Sequence, residues 1–149
     1  MAGTTKSTLP HSDIMKVRFS DVDAQGHLYF ANYMMFADEI LGFYMEELGY
    51  SGMNPQQAPC FIFTVKINCE YVDEVKAFDN VRVYVGYSRL GNSSADAAFE
   101  LYNDATDTLL ARGGLTQVYV DKDTRKSTPI PPNFRAAIIA RQPELGADL

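Results

Sequence analysis

The 149-residue sequence contains no tryptophan, only two cysteines and no apolar run long enough to span a bilayer. Cys60 and Cys69 lack the CxxC spacing of metal and redox sites, which predicts buried, reduced thiols and no metal site. The first dozen residues are polar and contain no apolar core of a secretory signal. These absences predict a cytoplasmic protein without a membrane segment.

Basic residues are also scarce. Thirteen Lys and Arg against 19 Asp and Glu give a formal net charge of -6, so we expect neither nucleic acid nor an anionic membrane as a partner. A local basic pocket for one anionic ligand is still compatible with this charge. The length fits one globular domain. We expect that domain at residues 14–141, with a flexible N-terminus at 1–13 and a C-terminal tail at 142–149.

The strongest pattern is a helical one. Apolar residues three and four positions apart predict a helix over residues 30–48, followed by Gly49 as a left-handed C-terminal cap. Met34, Met35 and Phe43 widen the apolar stripe. We therefore expect this helix to be buried on most of its sides.

The remaining patterned segments predict strands. Residues 14–20 alternate, which predicts a first strand with Met15, Val17 and Phe19 on one face. After the helix, β-branched and aromatic segments predict four more strands and a terminal helix, at residues 61–71, 81–90, 95–102, 109–121 and 133–141. Links of hairpin length predict that these four strands are mainly antiparallel neighbours. One long central helix wrapped by one curved antiparallel sheet is an α+β arrangement.

Two acids, a glycine and a histidine lie between the first strand and the helix, at Asp21, Asp23, Gly26 and His27. Acids in such turns often bond their own backbone. A carboxylate before a helix N-terminus could instead act as a general base or nucleophile, with the free helix amides stabilising an oxyanion. The residues alone leave both interpretations open. No serine occupies a GxSxG turn, so we do not expect a triad hydrolase.

The segment RFSDVDAQGHLYFANYMMFADE resembles the signature of the 4-hydroxybenzoyl-CoA thioesterase family of hotdog-fold enzymes. The matching positions are Phe19, Asp21, Asp23, Gly26, Tyr29, Phe30, Asn32 and Tyr33. The resemblance extends over residues 14–130 through the strand order and the turn SRLGNSS. It implies a hotdog fold and an acyl-CoA thioesterase, which releases a free acid and coenzyme A. It implies no metal and no bound cofactor.

The resemblance also assigns roles to individual residues. Asp23 matches the family's catalytic carboxylate, and Asp21 matches an acid that holds the loop. Gly26 matches the glycine that lets the backbone come close to the thioester. The amide of Phe30 matches the one that polarises the thioester carbonyl. His27 matches a position that is histidine in many relatives and aliphatic in others.

Substrate binding is predicted at aromatic residues and at one turn between strands. In the family, the turn matching SRLGNSS commonly meets the nucleotide end of coenzyme A, where arginine, glycine and serine supply charge and donors. The predicted binding residues are Tyr29, Tyr33, Phe63, Arg89, Gly91, Ser93 and Ser94. Lys122, Arg125 and Lys126 form a second basic group, which is more typical of a solvated turn.

Two other functions stay open. One is a hotdog-fold dehydratase or hydratase, although such enzymes generally pair a histidine with an acid in a different motif. The other is a non-catalytic binding module for acyl-CoA or an acyl carrier, which has no need for a carboxylate beside a carbonyl. The identity of the acyl group is also open. A nearly all-apolar helix with too little sequence to cover both sides of the sheet predicts a homodimer or homotetramer.

Overall fold

The structure is a computed structural model that describes residues 7–51, 54 and 56–146. In chain order the described elements are β1 (His11–Lys16), α1 (Phe30–Glu47), β2 (Phe61–Tyr71), β3 (Asn80–Leu90), β4 (Ser94–Asn103), β5 (Leu109–Val120) and α2 (Pro132–Arg141). The strands form one antiparallel sheet in the order β1-β3-β4-β5-β2. The predicted α+β arrangement and the predicted terminal helix are confirmed.

The first strand differs from the prediction. β1 pairs with β3 from His11 to Lys16, and Phe19–Asp21 form a 3-10 turn instead of continuing the strand. The Asp21 carboxylate accepts a hydrogen bond from the Arg18 amide at 2.9 Å, which closes this turn. The alternation therefore ends early. Val17 is fully buried, whereas Phe19, predicted on the same face, is 78% exposed.

The sheet order also corrects one expected pairing. β3, β4 and β5 are consecutive neighbours, but β2 pairs with β5 at one edge while β1 lies at the other. The chain between β2 and β3 instead contacts the loop before α1. The Ala77 amide donates to the Gly26 oxygen at 3.2 Å, and the Phe78 amide to the Val17 oxygen at 2.7 Å. This crossing brings the segment after β2 to the predicted catalytic loop.

The helix α1 ends one residue before its predicted end, and its cap is the predicted one. Gly49 has a φ of +92°, and its amide donates to the Glu46 oxygen at 3.0 Å. The Tyr50 amide donates to the Met45 oxygen at 2.9 Å. These bonds satisfy carbonyls that a helix end leaves free, in the manner of a left-handed C-terminal cap.

The described residues bury one face of α1. That face packs mainly on β3, and also on β1 and β4, through Tyr33, Phe36, Ala37, Ile40, Leu41, Tyr44 and Met45. Met35 and Phe43 on the remaining surface are exposed. The expectation that the helix is buried on most sides is therefore wrong for a single chain. Across the described ranges, no helix has the length and apolar character needed to cross a membrane.

The C-terminal segment packs into the core beyond α2. Gln142, which we expected in a tail, is buried. Its Oε1 accepts hydrogen bonds from the Tyr44 hydroxyl at 3.1 Å and the Tyr87 amide at 2.9 Å. Its Nε2 donates to the Tyr87 oxygen at 2.7 Å. The side chain therefore ties the C-terminal segment to both α1 and β3.

Candidate active site

The two aspartates of the loop have different surroundings. Asp21 is buried, and its carboxylate accepts hydrogen bonds from the Arg18 guanidinium at 3.0 and 3.1 Å. The hydrogen bonds from Arg18 lower the pKa of Asp21, against the opposing effect of burial. The Asp21 carbonyl also accepts the Tyr29 amide at 3.0 Å and the Asn32 side chain at 2.9 Å. Asp21 therefore anchors the loop to the start of α1.

Asp23 is exposed, and only one of its carboxylate oxygens bonds the protein. Its Oδ1 accepts the amides of Gln25 at 2.9 Å and His27 at 3.3 Å. Among the described residues, none donates to Oδ2. The local backbone bonds expected of an Asp-rich turn are thus present. They orient the carboxylate and leave one oxygen available to a ligand or a water.

A tight turn positions His27 beside a second acid. Gly26 adopts a φ of +80°, a conformation that other residues rarely adopt, and its amide donates to the Asp23 oxygen at 3.0 Å. Among the described residues, no atom lies within 4 Å of a Cβ added to Gly26, so the positive φ, and not a lack of space, favours glycine at this position. His27 Nδ1 lies 3.2 Å from the Glu74 carboxylate. Glu74 therefore holds the imidazole in one orientation.

The start of α1 has unused backbone donors. Tyr29 is the N-cap residue and its side chain makes no cap hydrogen bond. Among the described residues, none accepts a hydrogen bond from the amide of Phe30. The four N-terminal amides of a helix have no intrahelical acceptor and carry part of the positive end of its dipole. The Phe30 amide is consequently free to bind an oxyanion.

Aromatic side chains surround this helix start. The Tyr71 hydroxyl donates to the Phe30 carbonyl oxygen at 2.8 Å, and its ring makes edge contacts with Phe30 and Tyr33. Burial raises the pKa of Tyr71 to about 12, so the hydroxyl stays protonated and remains a donor. The Tyr33 hydroxyl donates to the Asp73 oxygen at 3.2 Å. These bonds fix the end of β2 and the segment after it against the first turn of α1.

Together these groups line one open cavity of about 420 Å³. Its lining residues are Asp23, His27, Leu28, Tyr29, Phe30, Tyr33, Tyr71, Val72, Asp73 and Glu74. The cavity thus combines an exposed carboxylate, an oriented imidazole and a free helix N-terminus, which are suited to attack on a carbonyl. In the described part of the chain, no three His, Cys, Asp or Glu residues lie close enough to hold a metal ion.

Sequence reasoning missed the residues that come from the end of β2 and from the segment after it. Tyr71, Asp73 and Glu74 follow Asp23 by about fifty positions, and nothing in the local pattern joins the two segments. These residues could have been found only from the order of the strands in the sheet. With β2 placed at an edge beside β5, the connection to β3 has to cross under the loop that carries Asp23.

Five predicted binding residues lie at the other end of the sheet. Phe63 and Tyr71 are eight positions apart on β2, about 26 Å along an extended strand. The β3–β4 turn is also far from Asp23. It follows the last residue of β3, whereas the Asp23 loop contacts the residues that precede the first residue of β3. Within one chain the structure does not bring together Asp23 and the distal residues Phe63, Arg89, Gly91, Ser93 and Ser94.

Arg89 is engaged within its own turn. Its Nε donates to the Asp96 carboxylate at 2.8 Å, and its Nη2 donates to the Ser94 hydroxyl at 3.1 Å. The hydrogen bond to Asp96 raises the pKa of Arg89, and the same bond lowers the pKa of Asp96. The Gly91 oxygen accepts a hydrogen bond from Arg135. The turn is therefore well ordered, and a role for Arg89 in coenzyme A binding stays a prediction.

Comparison with known proteins identifies the family of this chain. Residues 17–138 match the model of the thioesterase-like superfamily. The chain therefore belongs to the thioesterase-like superfamily, which confirms the predicted hotdog fold and the predicted enzyme class, a thioester hydrolase.

Individual relatives are distant in sequence and close in structure. The uncharacterized protein YsmA of Bacillus subtilis (strain 168) is 24% identical over 122 residues, 82% of this chain and 80% of that protein. Slr0204, a 1,4-dihydroxy-2-naphthoyl-CoA thioesterase from Synechocystis, is 19% identical with a TM-score of 0.79, covering 85% of this chain and 93% of that one. A thioesterase from Thermus thermophilus, complexed with coenzyme A and Zn, is 20% identical with a TM-score of 0.79, covering 91% and 96%.

Proposed function

We propose that this protein is an acyl-CoA thioesterase of the kind represented by 4-hydroxybenzoyl-CoA thioesterases, with Asp23 as its catalytic carboxylate. One observation carries the proposal. Asp23, which has one carboxylate oxygen without a protein donor, and Phe30, whose amide has no acceptor among the described residues, line the same cavity, so one carbonyl bound there could meet a nucleophilic group and an oxyanion donor. The relatives that act on or bind coenzyme A compounds support the choice of acyl-CoA as substrate.

The reaction needs few groups. Asp23 either takes a proton from water as the water attacks the thioester carbonyl, or attacks the carbonyl itself to form an anhydride that water then cleaves. The carbonyl oxygen becomes negative and accepts the Phe30 amide, whose position at the helix start favours negative charge. The thiolate of coenzyme A leaves, and the proton from water passes to it through Asp23. The second product is the free acid.

His27 and Glu74 supply orientation beside the reacting carbonyl. The contact of 3.2 Å between His27 Nδ1 and the Glu74 carboxylate fixes the imidazole, and the His27 amide donates to Asp23 Oδ1. His27 therefore connects Glu74 to the carboxylate that reacts. In this arrangement Glu74 is a positioning residue, which acts through His27 and not on the substrate.

We further propose that a second copy of the chain completes the site through the free edge of β2. Phe63, Val65, Ile67, Tyr71 and Val72 are exposed on and just after this edge strand. Unpaired edge strands with exposed apolar side chains pair readily with another chain. Antiparallel pairing about a two-fold axis near the middle of β2 sets the start of one strand beside the end of the other. Phe63 would then lie close to Tyr71 of the partner subunit.

The experiment that tests the proposal measures thiol release from a panel of aromatic and aliphatic acyl-CoA thioesters. Asp23→Asn keeps the shape of the side chain and removes its basicity and nucleophilicity. It should lower kcat by at least ~100-fold on the best substrate. Binding of a non-hydrolysable thioether analogue should stay within about 3-fold, which is under 1 kcal/mol.

Asp21→Asn is the matched control, because it changes the other acid of the same loop. We expect it to act on stability and to retain most of the turnover of the folded protein. Wild-type turnover by Asp23→Asn would refute the assignment of the carboxylate. A wild-type protein that binds acyl-CoA and hydrolyses none of the panel would instead support the binding module.

A further inference from the structure

A second groove lies between the exposed face of α1 and the first half of β2. Its volume of about 730 Å³ is that of a small-molecule site. It is separate from the Asp23 cavity within one chain. Asp38, the first helix residue that lines it, follows Phe30 by eight positions, about 12 Å along the helix.

The walls of this groove are apolar, and its charged groups have one sign. Phe43, Met45, Phe61 and Ile62 are among the apolar lining residues. In the described part of the chain, the charged residues that line it are Asp38, Glu39 and Glu46, without a Lys, Arg or His. Carboxylates disfavour an anionic occupant. The groove therefore suits neither the phosphates of coenzyme A nor the carboxylate of a released acid.

One polar side chain is buried in the wall of the groove. Gln117 on β5 is 5% exposed and lies opposite Thr64 of β2. Its Oε1 is buried without a hydrogen-bond partner among the described residues. A buried amide oxygen without a donor destabilises the protein, and a ligand that supplies a donor removes that cost.

The neighbouring groups do not supply this donor. The Tyr50 hydroxyl, which also lines the groove, donates to the Cys60 carbonyl oxygen at 2.5 Å. Asp38 adds a carboxyl whose pKa is raised by partial burial and, to a lesser degree, by the charge of Glu39. The groove thus offers one buried acceptor, Gln117, and one exposed carboxyl, Asp38, within a mostly apolar wall.

We propose that this groove binds the distal end of the acyl group and that Gln117 selects acyl groups with a hydrogen-bond donor, such as a hydroxyl, at that end. The inference rests on the proposed thioesterase function and on the β2 pairing, which brings the groove of one chain towards Asp23 of the partner subunit. A hydrocarbon acyl group would leave Oε1 unpaired. An acyl group that ends in a carboxylate would meet the acidic wall.

The test compares matched pairs of thioesters that differ only in the distal hydroxyl. Suitable pairs are 4-hydroxybenzoyl-CoA with benzoyl-CoA, and ω-hydroxydodecanoyl-CoA with dodecanoyl-CoA. For at least one pair, wild-type kcat/KM should favour the hydroxylated member by about 10-fold or more, because the analogue leaves a buried acceptor unpaired. Absence of such a preference in both pairs would overturn the proposal. So would a preference for a methoxy analogue, which accepts hydrogen bonds and cannot donate them.

Gln117→Leu assigns the preference to the residue. It should reduce the preference to within about 2-fold by improving hydrolysis of the unhydroxylated member, while Thr64→Val, on the opposite strand of the same groove, should keep it. An unchanged preference in Gln117→Leu would overturn the proposal. If the variant does not fold, the wild-type ratio of kcat/KM within each pair, either a preference for the hydroxylated member or none, tests the proposal by itself.

A binding measurement separates this inference from the proposed function. Thioether analogues of the same pairs are titrated calorimetrically into wild type and Gln117→Leu. If no thioester is hydrolysed but the hydroxylated analogue binds about 10-fold more tightly to wild type only, the proposed function fails and the selection by Gln117 stands. Hydrolysis with equal binding of both analogues to wild type overturns the selection and leaves the thioesterase in place.

Discussion

The two ends of the sheet hold different parts of the chemistry. At one end, the loop before α1 and the segment after β2 bring Asp23, His27 and Glu74 into one cavity. At the other end, Phe63 lines an apolar groove with an acidic rim, and the turn that carries Arg89 lies at the same end of the sheet. The first end has groups that can transfer a proton, and the second has surfaces that can hold a substrate. Under the proposed pairing through β2, these two ends would form one site that a single chain does not bring together.

We expect the greatest loss of activity from a substitution that prevents pairing of two chains through β2. Ile67→Asp places a charge on the free edge of β2, where a two-fold pairing would set two like charges close together. We expect light scattering to give the mass of one chain and kcat/KM to fall by at least ~100-fold, because the distal half of the site is lost.

Ile14→Asp is the control for this change. Ile14 and Ile67 are both 40% exposed, and each lies on an edge strand, β1 or β2. The Ile14 variant should keep the mass and activity of wild type. The same loss of assembly in both variants would contradict pairing through β2.

A smaller loss of activity is expected from a substitution beside His27 in the Asp23 cavity. Glu74→Gln keeps the side-chain shape and removes the charge that faces His27, so it should lower kcat by about 10-fold while KM stays within about 2-fold. Glu70→Gln is the control, because Glu70 pairs with Arg112 on the sheet at 2.9 Å and lines no part of the cavity. In a His27→Ala background, Glu74→Gln should have no further effect. Additive losses in that cycle would show that Glu74 acts without His27.

The smallest effect is on stability at the loop. Asp21→Asn weakens the contacts to Arg18 and should lower the melting temperature by roughly 2–6 °C near pH 7. The folded-state pKa of Asp21 lies below the ordinary value of 3.8, so the stability from its charge is present above that pH and is lost as pH falls. Thermal melts from pH 7 to pH 2.5 should show the gap between the two proteins shrinking below about pH 3.8. A gap that is constant with pH would mean that the charge of Asp21 does not stabilise the fold.

Local sequence patterns predicted the elements whose formation depends on residues close together in the sequence. The three-and-four spacing identified α1, and Gly49 identified its end, because both depend on neighbouring residues. The resemblance singled out Asp23, which lines the same cavity as Phe30 at the start of α1. The pairing of β2 with β5 was not predicted, since it depends on contacts about fifty positions apart. Glu74 was missed for the same reason. Phe19 was misplaced because the side chain of Asp21 interrupts the alternation.

A mixing experiment between two inactive variants distinguishes a site shared between two chains from a site within one chain. Asp23→Asn disables the catalytic end, and Phe63→Asp, at an exposed position on β2, is expected to disable the distal end. If each site uses Asp23 from one chain and Phe63 from the other, a mixed dimer has one intact site. Equal amounts of the two chains, exchanged to equilibrium, should then recover about one quarter of wild-type activity, since half of the dimers are mixed. Recovery of no activity in a sample that contains mixed dimers would contradict a site shared between two chains.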